Sequence, residues 1–145
     1  MANQRFMQGK YIVKNPDKYM GDLTKVTFRS SWELDMHKFL DMNPNVKRWG
    51  SEIVVIPYIK PTDGRVHKYY VDYYVEYVNT KGVLIKELIE LKPKSQLSLT
   101  KSKGKNKLYE QLQLAVNMSK WEAAKAWCLR RGIEFRIVTE KSLHT

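Results

Sequence analysis

A single cysteine, Cys128, stands in this 145-residue chain, which excludes an internal disulfide and any zinc site built from several cysteines. Long apolar runs are missing as well; none approaches the roughly 18 residues that a membrane-spanning helix requires. The opening Met1-Ala2-Asn3-Gln4-Arg5 has no apolar stretch of the kind a secretion signal uses. An intracellular protein without membrane contact is therefore expected. Internal repeats and domain linkers are absent too. Acidic residues are in deficit, 15 against 26 Lys and Arg, giving a net charge of +11. Such an excess suits a polyanionic partner and salt-sensitive affinity for phosphate backbones. A solubilising lysine surface has the same composition, so charge alone does not choose between them.

The residues present describe a folded domain. With 43% hydrophobic and 12% aromatic residues, the chain can bury one core and does not have the composition of a disordered segment. Residues 1–29 read as an irregular basic arm, with Lys10, Lys14, Lys18, Lys25 and Arg29 spread along it, ahead of a folded domain over 30–145. Ser30 followed by Glu33 is a capping-box pattern, and Asn43-Pro44 a stop, so a helix is expected over 31–42. Three antiparallel strands follow: a short one at Ile53–Ile56, a long one from Val66 to Val78, and a third from Val83 to Leu91. Residues 94–107 form a lysine-rich loop containing Lys94, Lys101, Lys103, Lys105 and Lys107. Apolar residues at helical spacing from Leu108 to Trp127 predict a long helix stopped at Gly132, and Ile133–Ile137 a last strand. A strand that follows a long helix can rejoin the sheet in parallel. The expected fold is a single-domain α/β sandwich with a mixed sheet of four or five strands flanked by helices.

Chemistry concentrates in two segments. Asp72 interrupts the run Tyr69-Tyr70-Val71-Asp72-Tyr73-Tyr74-Val75, and Glu90-Leu91-Lys92 closes the third strand. Glu90 and Lys92 lie two residues apart, so they share a face. If the strands pair, Asp72 meets that edge, placing two carboxylates and one ammonium together. Carboxylate oxygens suit a hard divalent cation, and a cation resolves the repulsion between them. Each residue also has a plainer role: Asp72 as a surface or lysine-paired carboxylate, Glu90–Lys92 as a surface ion pair, and Glu33 as half of the capping box. His67 falls on the opposite strand face from Asp72. His37 shares a helical face with Glu33 but is better read as partly buried. Lys120 and Gln111 on the long helix match no motif. Cys128, the tyrosines around Asp72, and Trp32, Trp49 and Trp127 read as packing residues.

Asp72 with Glu90-Leu91-Lys92, preceded by a helical Glu33, resembles the PD-(D/E)xK nuclease superfamily, with Val71 where proline often stands. Phe28-Arg29-Ser30-Ser31-Trp32-Glu33-Leu34 is similar to the R-S-x-W-E segment of the head-completion nucleases of large tailed bacteriophages. Parallels extend to Lys14-Asn15-Pro16-Asp17-Lys18-Tyr19, Asn43-Pro44-Asn45-Val46, Val54-Val55-Ile56-Pro57-Tyr58 and Val71-Asp72-Tyr73. The ending from Gly132 to Lys141 resembles that of the TnsA-type transposition endonucleases. The resemblance implies a metal-dependent deoxyribonuclease, endo- or exonucleolytic, acting in virion assembly at head completion and head–tail joining. It implies that Glu33, Asp72 and Glu90 bind magnesium, with manganese as a substitute, and that Lys92 orients the attacking water. Double-stranded DNA and head, portal or neck proteins are the implied partners, with no small-molecule cofactor. The implied location is the cytoplasm of the infected bacterium or the virion itself. Two rival readings are a non-catalytic DNA-binding or portal-docking protein and the endonuclease subunit of a transposase.

Overall fold

The structure is a computed structural model that describes residues 8–98 and 105–141. In chain order it contains β1 (Gly9–Lys10), β2 (Thr27–Phe28), α1 (Ser31–Met42), β3 (Val46–Ser51), β4 (Val55–Ile59), β5 (Val66–Tyr70), β6 (Tyr73–Val78), β7 (Leu84–Leu91), α2 (Lys105–Leu129) and β8 (Glu134–Val138). A four-stranded mixed sheet of order β3-β6-β7-β8 forms the centre. Its first three strands are antiparallel, and β8 joins β7 in parallel after the long crossover through α2. β4 and β5 form a separate hairpin, and β1 pairs with β2. The α/β fold with a mixed sheet is the one the sequence implies.

Helices cover both faces of the sheet, so its central strands are apolar on both sides. Along β6, Tyr73 and Val75 turn to one core with Met36 and Leu40 of α1, while Tyr74 turns to the other with Val116, Trp121, Ala124 and Cys128 of α2. In β7, Ile89 and Leu88 divide in the same way. Tyr11 and Val26 from the basic arm join the α1-side core. At the start of α1 the Ser30 hydroxyl accepts the Glu33 N–H at 3.1 Å, the expected cap. His37 is fully buried, with Nδ1 2.7 Å from the Tyr73 hydroxyl and Nε2 2.8 Å from the Thr27 carbonyl. Burial lowers its pKa and keeps the ring neutral. His37 thus fastens α1 to β2 and β6 and takes no part in a surface site.

Several expected boundaries change. The long strand Val66–Val78 is two strands, β5 and β6, in different sheets. The chain breaks at Val71-Asp72, where the Val71 N–H turns to the Val54 carbonyl (3.1 Å) and the Asp72 carbonyl takes the Glu52 N–H (3.0 Å). β3 was not expected at all. A register irregularity between Val46 and Arg48 spoils its alternation, leaving Lys47 and Arg48 adjacent between the buried Val46 and Trp49. The short strand expected at Ile53–Ile56 is β4, shifted to Val55–Ile59. It accommodates Pro57 because β4 and β5 form a sheet of only two strands. The lysine-rich loop contains a 3₁₀ turn at Lys94–Gln96, and α2 already begins at Lys105. Lys101 and Lys103 lie outside the described residues.

Candidate active site

The break between β5 and β6 builds the site. Tyr73 pairs with Ile89 across the antiparallel ladder, so Asp72 arrives opposite Glu90 at the end of the sheet. There the Asp72 Oδ2 accepts the Leu91 N–H at 2.7 Å, which fixes the carboxylate against the end of β7. Glu90 lies beside Asp72, so its charge disfavours ionisation of the Asp72 carboxyl. Burial, then the charge of Glu90, pushes the Asp72 carboxyl up to about 8, with the Leu91 N–H opposing the rise. Lys92 Nζ lies 3.7 Å from Glu90 Oε2, and both side chains are largely buried. The structure therefore brings together Asp72, Glu90 and Lys92.

Glu33 stands apart from that trio, on the first turn of α1. Burial raises its pKa, opposed by Arg29, and its charge is felt at Asp72. Among the described residues, no three His, Cys, Asp or Glu side chains converge to enclose a metal by themselves. Magnesium does not need such a cage. It binds through one or two carboxylates and fills its remaining positions with water and substrate phosphate. Two adjoining carboxylates, the half-buried Asp72 and the buried Glu90, fit that requirement.

The pair faces a cleft of about 480 Å³ lined by Arg29, Glu52, Lys68, Tyr69, Asp72, Glu90 and Lys120, among others. Sequence reasoning missed Glu52 and the part Arg29 plays at this rim. Glu52 has a left-handed backbone (φ 56°), an uncommon conformation for a residue with a side chain. Its carboxylate grips Arg29 through two bonds of 2.7 and 3.0 Å. No local pattern announces this. The nearest cue is Gly50, where a side chain would collide with Ile53 and the Met20 carbonyl, so the turn after β3 must pack tightly. His67 pairs with Asp63 at 2.8 Å on the outer hairpin, and Gln111 is exposed; neither lines the cleft. A larger cavity of about 620 Å³ opens beside α1, with Met36, Phe39 and Tyr77 in its wall, but none of the residues expected at the site borders it.

Residues 43–140 match the model of the TnsA-like endonuclease N-terminal domain. The chain belongs to the TnsA-like endonuclease family. The matched segment runs from the end of α1 through β8 and carries Asp72, Glu90 and Lys92, while Glu33 precedes it. The chain is also 38% identical over 142 residues to the head completion nuclease of Enterobacteria phage T4, an alignment that spans 93% of this chain and 92% of that protein. No solved structure matches this TnsA-like chain. No helix among its described residues is long and apolar enough to cross a membrane.

Proposed function

We propose that this TnsA-like nuclease is a magnesium-dependent deoxyribonuclease that hydrolyses duplex DNA during phage head completion and head–tail joining. The observation that carries the reading is the Asp72–Glu90 carboxylate pair, half-buried and buried respectively at a cleft, with Lys92 against Glu90. Asp72 and Glu90 would hold the cation directly, manganese serving as a substitute, and Glu33 would act on it from the start of α1. The metal would supply Lewis-acid polarisation of a phosphoryl oxygen. Hydrolysis adds a water oxygen to phosphorus and breaks one ester P–O bond. Lys92, steadied by Glu90, would orient that water. The net charge of +11 would supply affinity without base reading, through the basic arm over 1–29 and the lysines of 94–107. A near full-length likeness to a head completion nuclease supports an assembly role, with head, portal or neck proteins as partners in the infected cell or the virion.

Cleavage of linear and closed-circular duplex DNA with magnesium tests the reading. Wild type is expected to cut, and chelation of the metal to stop it. Asp72→Ala and Lys92→Ala are each expected to lose at least about 100-fold in rate while still binding DNA. Equal cutting by all three proteins would move the chemistry elsewhere.

A further inference from the structure

Four cationic side chains lie around the Asp72–Glu90 pair, and two of them are held by carboxylates. Arg29 is held by Glu52, Lys92 by Glu90, and Lys68 is exposed to solvent. Lys120 differs. It projects from α2 into the cleft, is only partly exposed, and has no carboxylate within ion-pair distance among the described residues. Its ammonium instead rests on two aromatic faces, 5.8 Å from the Tyr58 ring centre and 5.5 Å from that of Tyr69. Those rings belong to the β4–β5 hairpin, against which α2 packs. Burial lowers the Lys120 pKa, and the nearby Glu90 charge opposes that effect.

Tyr69 ties this cation to the reacting centre. The residue is 3% exposed, and its hydroxyl lies beside Glu90 without forming a hydrogen bond of proper geometry. One end of the ring therefore abuts the candidate cation ligand while its face carries the Lys120 ammonium. A half-buried ammonium with free donors, fixed on a rigid aromatic platform next to two carboxylates, is built to receive an anion.

We propose that Lys120 is a substrate-positioning contact that donates to a non-bridging oxygen of one DNA phosphate in the cleft. The tyrosine rings hold its ammonium, while Lys92 is the cation paired with Glu90 among the described residues. This rests on the nuclease reading above, and the test separates the two. In an Asp72→Asn background, which binds without cutting, Lys120→Met keeps the aliphatic stem on the rings and removes only the charge. Affinity is then measured for a series of short duplexes, each with one phosphate replaced by a neutral methylphosphonate. Lys120→Met is expected to weaken binding of the all-phosphate duplex about tenfold. At one phosphate position, and no other, that loss should vanish, because the partner charge is already gone. Lys120→Arg should restore part of the affinity with the same positional signature. A loss that is equal at every position, or no loss at all, overturns the contact. Wild-type cleavage of the all-phosphate duplex is run alongside. Cutting combined with position-independent losses discards only the Lys120 contact, whereas absence of cutting by wild type takes the nuclease reading down with it.

Discussion

Asp72→Asn is expected to abolish cleavage and, at the same time, to stabilise the protein at pH 8 by several kcal/mol, a rise in Tm of roughly 10 °C or more for a chain of this size. The reason lies in the proton that burial and the Glu90 charge make Asp72 keep. The folded Asp72 carboxyl holds its proton up to about pH 8, against an ordinary value of 3.8. Between those values the folded state binds a proton that the unfolded chain releases. The associated stability is therefore complete below about pH 4 and is lost as pH rises through 8. Asparagine removes the dependence. Its amide oxygen can still accept the Leu91 N–H, and its NH₂ can face Glu90 without adding a charge. Thermal unfolding of both proteins from pH 4 to pH 9 checks this: the curves should converge at the acid end and separate with rising pH. Parallel curves would mean that folded Asp72 does not keep its proton above the ordinary carboxylate range.

The largest expected loss of stability lies away from the cleft. Asp41 is fully buried and binds the arm to α1. It accepts from the Tyr11 hydroxyl at 2.5 Å, the Lys14 N–H at 2.8 Å and the Asn15 N–H at 3.0 Å. Burial alone would raise its pKa, but these bonds outweigh burial and hold it below its ordinary value. Asp41→Ala leaves the Tyr11 hydroxyl and two backbone donors without their acceptor and is expected to cost about 3–5 kcal/mol. A protein of ordinary stability has only about 5–15 kcal/mol in total. Urea denaturation should show the loss, together with earlier unfolding of the arm in hydrogen exchange. A change below about 1 kcal/mol would show that the arm is not anchored through Asp41. Since the folded pKa is depressed, wild type keeps this contribution above the ordinary Asp range and loses it as pH falls through the folded value.

The sequence made α1 legible because its start and stop are local signals. Ser30 caps it, and Asn43-Pro44 ends it, so the observed bounds are the expected ones. β7 and β8 were legible through continuous or alternating apolar residues, and the parallel return of β8 followed from the length of the connecting helix. β3 was hidden because its irregular register breaks the period that reveals a strand. The division of Val66–Val78 was hidden for a different reason. Every residue around Asp72 favours strand, and the break is made by long-range bonds from Val54, Glu52 and Leu91 that no local pattern encodes. The same limit applies to the site. Asp72, Glu90 and Lys92 were legible as types at a strand pair's edge, whereas Glu52 and the platform under Lys120 depend on elements that meet only in the folded chain.

Magnesium bound at the proposed site would displace the proton that Asp72 keeps beside Glu90. Calorimetric titration of magnesium at pH 7, repeated in buffers of different ionisation enthalpy, measures it directly. Wild type is expected to bind and to release up to about one proton per site, and Asp72→Asn to bind at least about 100-fold more weakly with no release. Binding of equal strength by both proteins, without proton release from either, would contradict the account.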